Sequence, residues 1–325
     1  MLSLIIAGCG KTENNTENTN PEDEEQDKLK VALILPGTMN DGGWNATAYQ
    51  GLKDIEEKFS ADVSVAENVP ASDFEERMRA YATDGYQIIF AHGFEFGDAA
   101  LKVGPEFTDT KFIVTSSTIS QEPNVASLQT STAEGGYIAG IVAGLNTKSN
   151  KVFAIGGMEI PSITQNLDAF KVAVEAVNPD AIVDITYIGN FEDAAKAKEL
   201  TMAFFEKGYD MGTVNADQAG LGAFEAFKAQ DTAKIVPVVA NYNDMLPDHA
   251  IASSAFSYPI AMVYLTQEIL DNNFKAQFYN VGVKEGGVTF HPNEKLITPE
   301  TEAKAEETME QIGEGKIDVM KLIEQ

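Results

Sequence analysis

Short apolar runs alternate along this chain with longer segments in which apolar positions recur at helical spacing. Val31–Leu35 reads as a first strand. After a polar loop, Ala48, Leu52, Ile55 and Phe59 follow the i, i+4, i+7 spacing of an amphipathic helix. Asp62–Ala66 predicts a second strand, and Phe74, Met78, Tyr81 and Ala82 mark a helix face. Gln87–Ala91 reads as a buried strand, with a loop at 92–98 and a helix through Val103. Lys111–Thr115 and Val125–Leu128 are further strands, and Ile138, Ile141, Val142 and Leu145 line a Gly- and Ala-rich helix.

The alternation then restarts. Lys151–Ile155, Ile182–Ile188, Tyr209–Val214 and Lys234–Val239 predict strands. Helices carrying Phe170, Val174 and Val177, the Ala-rich stretch Asp193–Glu206, and Phe224 with Phe227 lie between them. Strands separated by helices imply parallel sheets with crossover helices, an α/β class. A polar break near Thr147–Asn150 separates two such halves. A helix at Tyr258–Leu270 follows the second half and is expected to pack back on the first, so several crossings would form a hinge. Another helix is expected from about Pro299 to Ile312. The expected organisation is therefore one lobe from 30–146 plus about 257–282, and a second from 147–256 plus about 283–325.

The chain has 325 residues, enough for two cores. Its formal net charge is −27. Residues 10–30 hold seven acids against three lysines, so most of that charge belongs to the folded body. Such a surface repels nucleic acid, whose affinity rests on basic side chains neutralising phosphates. It also disfavours an electrostatic partnership with anionic lipid. The single cysteine rules out an intrachain disulfide and zinc sites built on paired cysteines. His92, His249 and His291 are scattered, so no metal site is expected.

Cys9 closes the run Leu2–Gly8, and Ile6-Ala7-Gly8-Cys9 resembles a bacterial lipobox. Residues 1–9 then read as a signal segment and lipidation site, although Met1-Leu2-Ser3 lacks the basic residues of a signal peptide. Residues 10–29 read as an acidic, flexible tether. The resulting localisation is extracytoplasmic, with Cys9 lipid-anchored in a bacterial cell membrane.

Catalytic signatures are missing. The sequence contains no G-x-x-x-x-G-K-[ST] phosphate loop and no G-x-S-x-G elbow, and Gly220-Leu221-Gly222 is only a partial dinucleotide loop. No catalytic residue and no cofactor is assigned. What recurs is an aromatic or polar residue just after a strand. Asp41-Gly42-Gly43-Trp44-Asn45 holds the only tryptophan, Phe94 and Phe96 follow the third strand, and Phe191 and Asp217 follow strands of the second half. In doubly wound lobes such loops gather at the carboxyl edge of the sheet. Two facing lobes would place these residues in one cleft, where rings stack on a flat ligand and carboxylates accept its N–H groups. Asp217 and Asn190 are equally readable as helix caps.

Several segments resemble the basic membrane protein family: Asp41–Gly51, Gly85–Phe90, Glu134–Gly144, Gly156–Pro161, Ala169–Pro179 and Ala194–Leu200. The resemblance implies a type I periplasmic-binding-protein fold, and a lipid-anchored, monomeric substrate-binding protein that serves an ABC importer permease. Its implied ligands are purine nucleosides or nucleobases. Trp44 stands where the family stacks an aromatic before an Asn, here Asn45. Gly93-Phe94 and Phe191-Glu192-Asp193 match two further family loops. By the same alignment Val239 and Asn241 replace the acids that hold a ribose, Ser116 replaces another acid, and an expected lysine falls near Ser257. A nucleobase is thus the implied ligand ahead of a nucleoside. Competing readings are a nucleosidase, a sugar-sensing transcription regulator and a signalling receptor.

Overall fold

A computed structural model describes residue 1, residues 28–41 and residues 43–324. The Cys9 site, the leader and most of the tether lie outside the described residues, as does Gly42.

The first lobe begins with β1 (Lys30–Ile34), α1 (Trp44–Phe59), β2 (Asp62–Ala66), α2 (Phe74–Thr83) and β3 (Ile88–Ala91). It continues with α3 (Gly97–Val103), β4 (Lys111–Thr115) and β5 (Val125–Thr130). The second lobe carries α4 (Thr132–Asn146), β6 (Lys151–Gly156), α5 (Pro161–Val177), β7 (Ile182–Tyr187) and α6 (Ala194–Glu206). After these come β8 (Met211–Asn215), α7 (Asp217–Lys228), β9 (Lys234–Ile235), β10 (Val238–Val239) and β11 (Ala252–Phe256). The chain returns to lobe 1 with α8 (Tyr258–Leu270) and β12 (Phe278–Val281), then ends in lobe 2 with β13 (Val288–Pro292), α9 (Pro299–Gly313) and α10 (Val319–Ile323).

Lobe 1 is a parallel sheet in the order β2-β1-β3-β4-β5-β12. Both faces are covered, which is why its strands read as continuous apolar runs. Leu33, Leu52, Ile55, Met262 and Leu265 fill one face, where α1 and α8 pack, and Ile34, Met78, Ile89 and Phe96 fill the other. Lobe 2 has a parallel sheet ordered β7-β6-β8-β9, extended by β10-β11-β13, in which β13 runs antiparallel to β11. The strand expected at Lys234–Val239 is broken, because Pro237 has no N–H for the ladder.

The boundary expected near Thr147–Asn150 is corrected to the residues around Ser131. Helix α4 packs along α5 in the lobe 2 core, with Tyr137, Ile138 and Val142 beside Leu167, Phe170 and Val174. Gly136 and Gly140 permit this: a Cβ at either would run into the α5 backbone at Asn166 or Phe170. Three crossings therefore join the lobes, at Ser131, Ser257 and 282–287. They are tied together, since the Ser131 N–H donates to Val281 O (3.0 Å) and the Ser257 N–H donates to Gly287 O (2.7 Å).

Candidate functional site

The loops at the carboxyl ends of the strands of both lobes enclose a cavity of about 440 Å³, within the ~300–1,000 Å³ range of small-molecule sites. Lobe 1 contributes Asp41, Trp44, Asn45, Phe94, Ser116 and Tyr258, and lobe 2 contributes Ile163, Phe191, Asn215, Asp217, Val239 and Phe256. Among the described residues, no lysine or arginine lines it.

Trp44 is the first residue of α1, and the helix starts there because Asp41 caps it. Asp41 Oδ1 accepts from the Gly43 and Ala46 N–H groups, each at 2.9 Å. Its Oδ2 accepts from the Asn45 N–H (2.9 Å) and from Asn45 Nδ2 (2.8 Å). Burial raises the Asp41 pKa, but these donors outweigh it and hold the carboxyl below its ordinary value. Asp41 therefore organises the loop, with its oxygens already engaged.

The Trp44 ring stacks on His92, with centroids 3.8 Å apart and planes inclined by 28°. His92 is fully buried at the end of β3, and that burial pushes its pKa down to about 3. Its Nε2 lies 3.2 Å from the Trp44 carbonyl and its Nδ1 lies 2.8 Å from Thr115 Oγ1. A carbonyl can only accept, so Nε2 carries the proton and Nδ1 accepts from the threonine hydroxyl. The Tyr258 ring meets His92 edge-on, and its hydroxyl hydrogen-bonds Ser116 Oγ at 2.7 Å. Burial raises the Tyr258 pKa, an effect moderated by Ser116 and the Trp44 side chain.

From lobe 2, Asp217 reaches toward the same loop. A Cβ on Gly43 would lie 2.6 Å from Asp217 Oδ1. Burial and then the Asp41 charge push the Asp217 pKa up to about 6, opposed by the Trp44 backbone N–H that faces it. Phe191 lies against Gly157, where any Cβ would enter its ring. Ser116, Asp217 and Val239 all have positive φ, at 52°, 47° and 84°. For the β-branched Val239 this is a strained conformation of the kind that gathers at functional sites, at about 1–3 kcal/mol.

Of the residues expected in a cleft, Asp41, Trp44, Asn45, Phe94, Ser116, Phe191 and Asp217 meet at this cavity. Two do not. Phe96 is fully buried against Phe74 in the lobe 1 core, because the helical turn Phe94–Phe96 points its two rings in opposite directions. Asn241 is exposed, and its Oδ1 accepts from the Asn243 N–H as a turn residue. Asn190 likewise caps its own turn, accepting from the Glu192 and Asp193 N–H groups. Sequence reasoning missed Tyr258 and the role of His92; it placed the Asn215–Asp217 loop at the cleft but gave Asn215 no role of its own. Tyr258 carried one usable signal, an aromatic at the helix start where the chain re-enters lobe 1.

The sequence profile described as ABC transporter substrate-binding protein PnrA-like matches residues 28–322. The chain belongs to this family. Within it, the chain is 29% identical over 235 residues to the ABC transporter nucleoside-binding protein BmpA of Lactococcus lactis subsp. cremoris, covering 71% of this chain and 66% of that protein. It is 26% identical over 291 residues to a purine-binding protein of Brucella abortus, covering 86% and 81%. A solved solute-binding protein of an ABC transporter system from Aeropyrum pernix K1 superposes with a TM-score of 0.76 at 20% identity, over 89% of this chain and 92% of that one. That likeness supports the periplasmic-binding type of fold. The PnrA-like family consists of substrate-binding proteins of transporters, with a small molecule on one side and a permease on the other.

Proposed function

We propose that this PnrA-like protein binds a purine nucleobase, or a similar flat heterocycle, between its lobes and hands it to an ABC permease. The observation that carries this reading is the Trp44 ring, held from behind by His92 at a cavity that Phe191 also lines. Offset stacking on such rings is worth about 0.5–1.5 kcal/mol per pair beyond burial. Two of the relatives, one a nucleoside-binding and one a purine-binding protein, point to the same ligand class.

Nucleobase is favoured over nucleoside by Val239. It lines the cavity where the family resemblance implies a ribose-holding acid, and Asn241 lies outside it. Closure around the three crossings buries the ligand and forms the surface that the permease engages. A lipid on Cys9 tethers the protein to the extracytoplasmic face of the membrane. Among the described residues no helix is long and apolar enough to cross one.

Calorimetric titration against nucleobases, nucleosides and sugars tests the ligand class. Nucleobase binding is expected; tight nucleoside binding without nucleobase binding overturns the preference. Ligand recovered unchanged after long incubation disposes of a nucleosidase. Mass spectrometry on protein from its native host tests the lipid: a diacylglyceryl group on Cys9 is expected, and its absence refutes the anchor.

A further inference from the structure

A chain of two amides fixes which atom lobe 2 presents to the ligand. Asn166, on α5, is fully buried, and its Nδ2 donates to the Thr132 carbonyl at 2.7 Å. Because that carbonyl can only accept, the Asn166 amide has one allowed orientation, with Oδ1 turned toward Asn215. Asn215 Nδ2 donates to this oxygen at 3.0 Å. Asn215, at the end of β8, is 5% exposed and lines the cavity. That bond uses one of its two N–H groups and holds the amide with its carbonyl oxygen turned away from Asn166.

Lobe 1 repeats the arrangement. The Asp41 carboxylate takes Asn45 Nδ2 and leaves Asn45 Oδ1 buried without a partner. Both amides are therefore held in one orientation by a protein partner. An acceptor left unmatched when the ligand closes over it costs about 1–3 kcal/mol, so the Asn215 oxygen at the cavity wall favours an N–H group on the ligand.

We infer that Asn166 is a positioning residue that sets selectivity: by locking Asn215 as an acceptor, it makes the cleft prefer heterocycles with an exocyclic amino group over their oxo counterparts. An oxo group would meet the Asn215 oxygen lone pair to lone pair. The inference rests on the purine-type reading above, but concerns a residue absent from the cavity wall.

Adenine and hypoxanthine serve as probes because they differ along one ring edge, an amino group beside a bare N1 in adenine against an oxo group beside N1–H in hypoxanthine; the amino and oxo groups are the ones placed against the Asn215 oxygen. Calorimetric titration of the wild-type chain is expected to show adenine bound more tightly by at least about tenfold, the equivalent of roughly 1.4 kcal/mol. Asn166→Leu frees the Asn215 amide to turn over, and the adenine-to-hypoxanthine ratio is expected to fall to within about threefold of unity. Asn215→Ala removes the acceptor with Asn166 in place, and is expected to lower the ratio in the same way even if Asn166→Leu folds poorly. A merely structural Asn166 would change both affinities together and leave the ratio intact. A ratio unchanged in both variants, or a wild type that prefers hypoxanthine, overturns the inference and leaves the purine site standing. Binding of neither base by the wild type overturns both readings.

Discussion

His92 lies flat beneath Trp44, 3.8 Å between ring centroids, and the same imidazole is within 3.2 Å of the Trp44 backbone carbonyl. One residue thus fixes both the ring plane and the helix start that carries it. This rigidity allows a stacking platform to act without ordering on each encounter, and ordering a side chain on binding costs about 0.5–1.5 kcal/mol.

Trp44→Ala is expected to weaken ligand binding by about 2–4 kcal/mol, the range of a central aromatic anchor. The thermal midpoint is expected to change little, because Trp44 is only partly buried. Calorimetry and thermal melting check the two halves. Unchanged affinity refutes the site. As the only tryptophan, Trp44 also makes its own emission a direct readout of ligand contact in the wild type.

His92 gives a pH prediction for stability. Its folded pKa of about 3 lies below its ordinary 6.5 because burial disfavours the cation. The unfolded chain therefore binds the proton first. Stability from the neutral imidazole is complete above about pH 6.5 and is lost as pH falls toward 3, with a slope of up to ~1.4 kcal/mol per unit. His92→Gln, which has no titrating ring, is expected to flatten that part of the acid limb. Urea denaturation between pH 7 and 4 measures it; parallel wild-type and variant curves refute the assignment.

Gly43→Ala tests the approach of the lobes. Its methyl would sit 2.6 Å from Asp217 Oδ1, so the closed arrangement is disfavoured while each lobe keeps its core. The expected outcome is a larger radius of gyration in small-angle scattering with ligand present, and affinity lower by at least about tenfold. A compact, tightly binding variant contradicts the proposed contact.

Most of lobe 1 was legible in the sequence because a doubly covered parallel sheet writes its strands as apolar runs. β11 was not: Ala252-Ser253-Ser254-Ala255-Phe256 is wholly buried yet small and polar, so neither period nor hydropathy marks it. Helix α4 was recognised but assigned to the wrong lobe, since its glycines show close packing without naming the partner. The loop residues of the cavity were found by the rule that ligands bind beyond strand ends. The failures there are matters of orientation. Phe94 and Phe96 are chemically equal in sequence, and only the helical turn separates them. Asn166 sits inside a helix like any buried amide, and its link to Asn215 exists only in three dimensions.

Asp217 supplies the last prediction, with the opposite sign to His92. Its folded pKa of about 6 lies above the ordinary 3.8, because burial and the Asp41 charge disfavour the carboxylate. The closed form therefore takes up a proton at this site. Its advantage is complete below about pH 3.8 and is lost as pH rises through 6. Tyr242, whose own pKa is pushed up to about 12 by burial and then by Asp217 and Asp41, stays neutral throughout and adds no charge. Asp217→Asn removes the titration while keeping a side-chain oxygen to face the Trp44 N–H. In the wild type, affinity for a neutral heterocycle is expected to decline from pH 5 to pH 7.5. In the variant that decline is expected to disappear, with affinity at pH 7.5 equal to or above that of the wild type. Titrations of both proteins in matched buffers decide the matter: a pH dependence that persists in Asp217→Asn assigns it elsewhere, and a loss of binding at every pH shows that the charge itself is needed by the ligand.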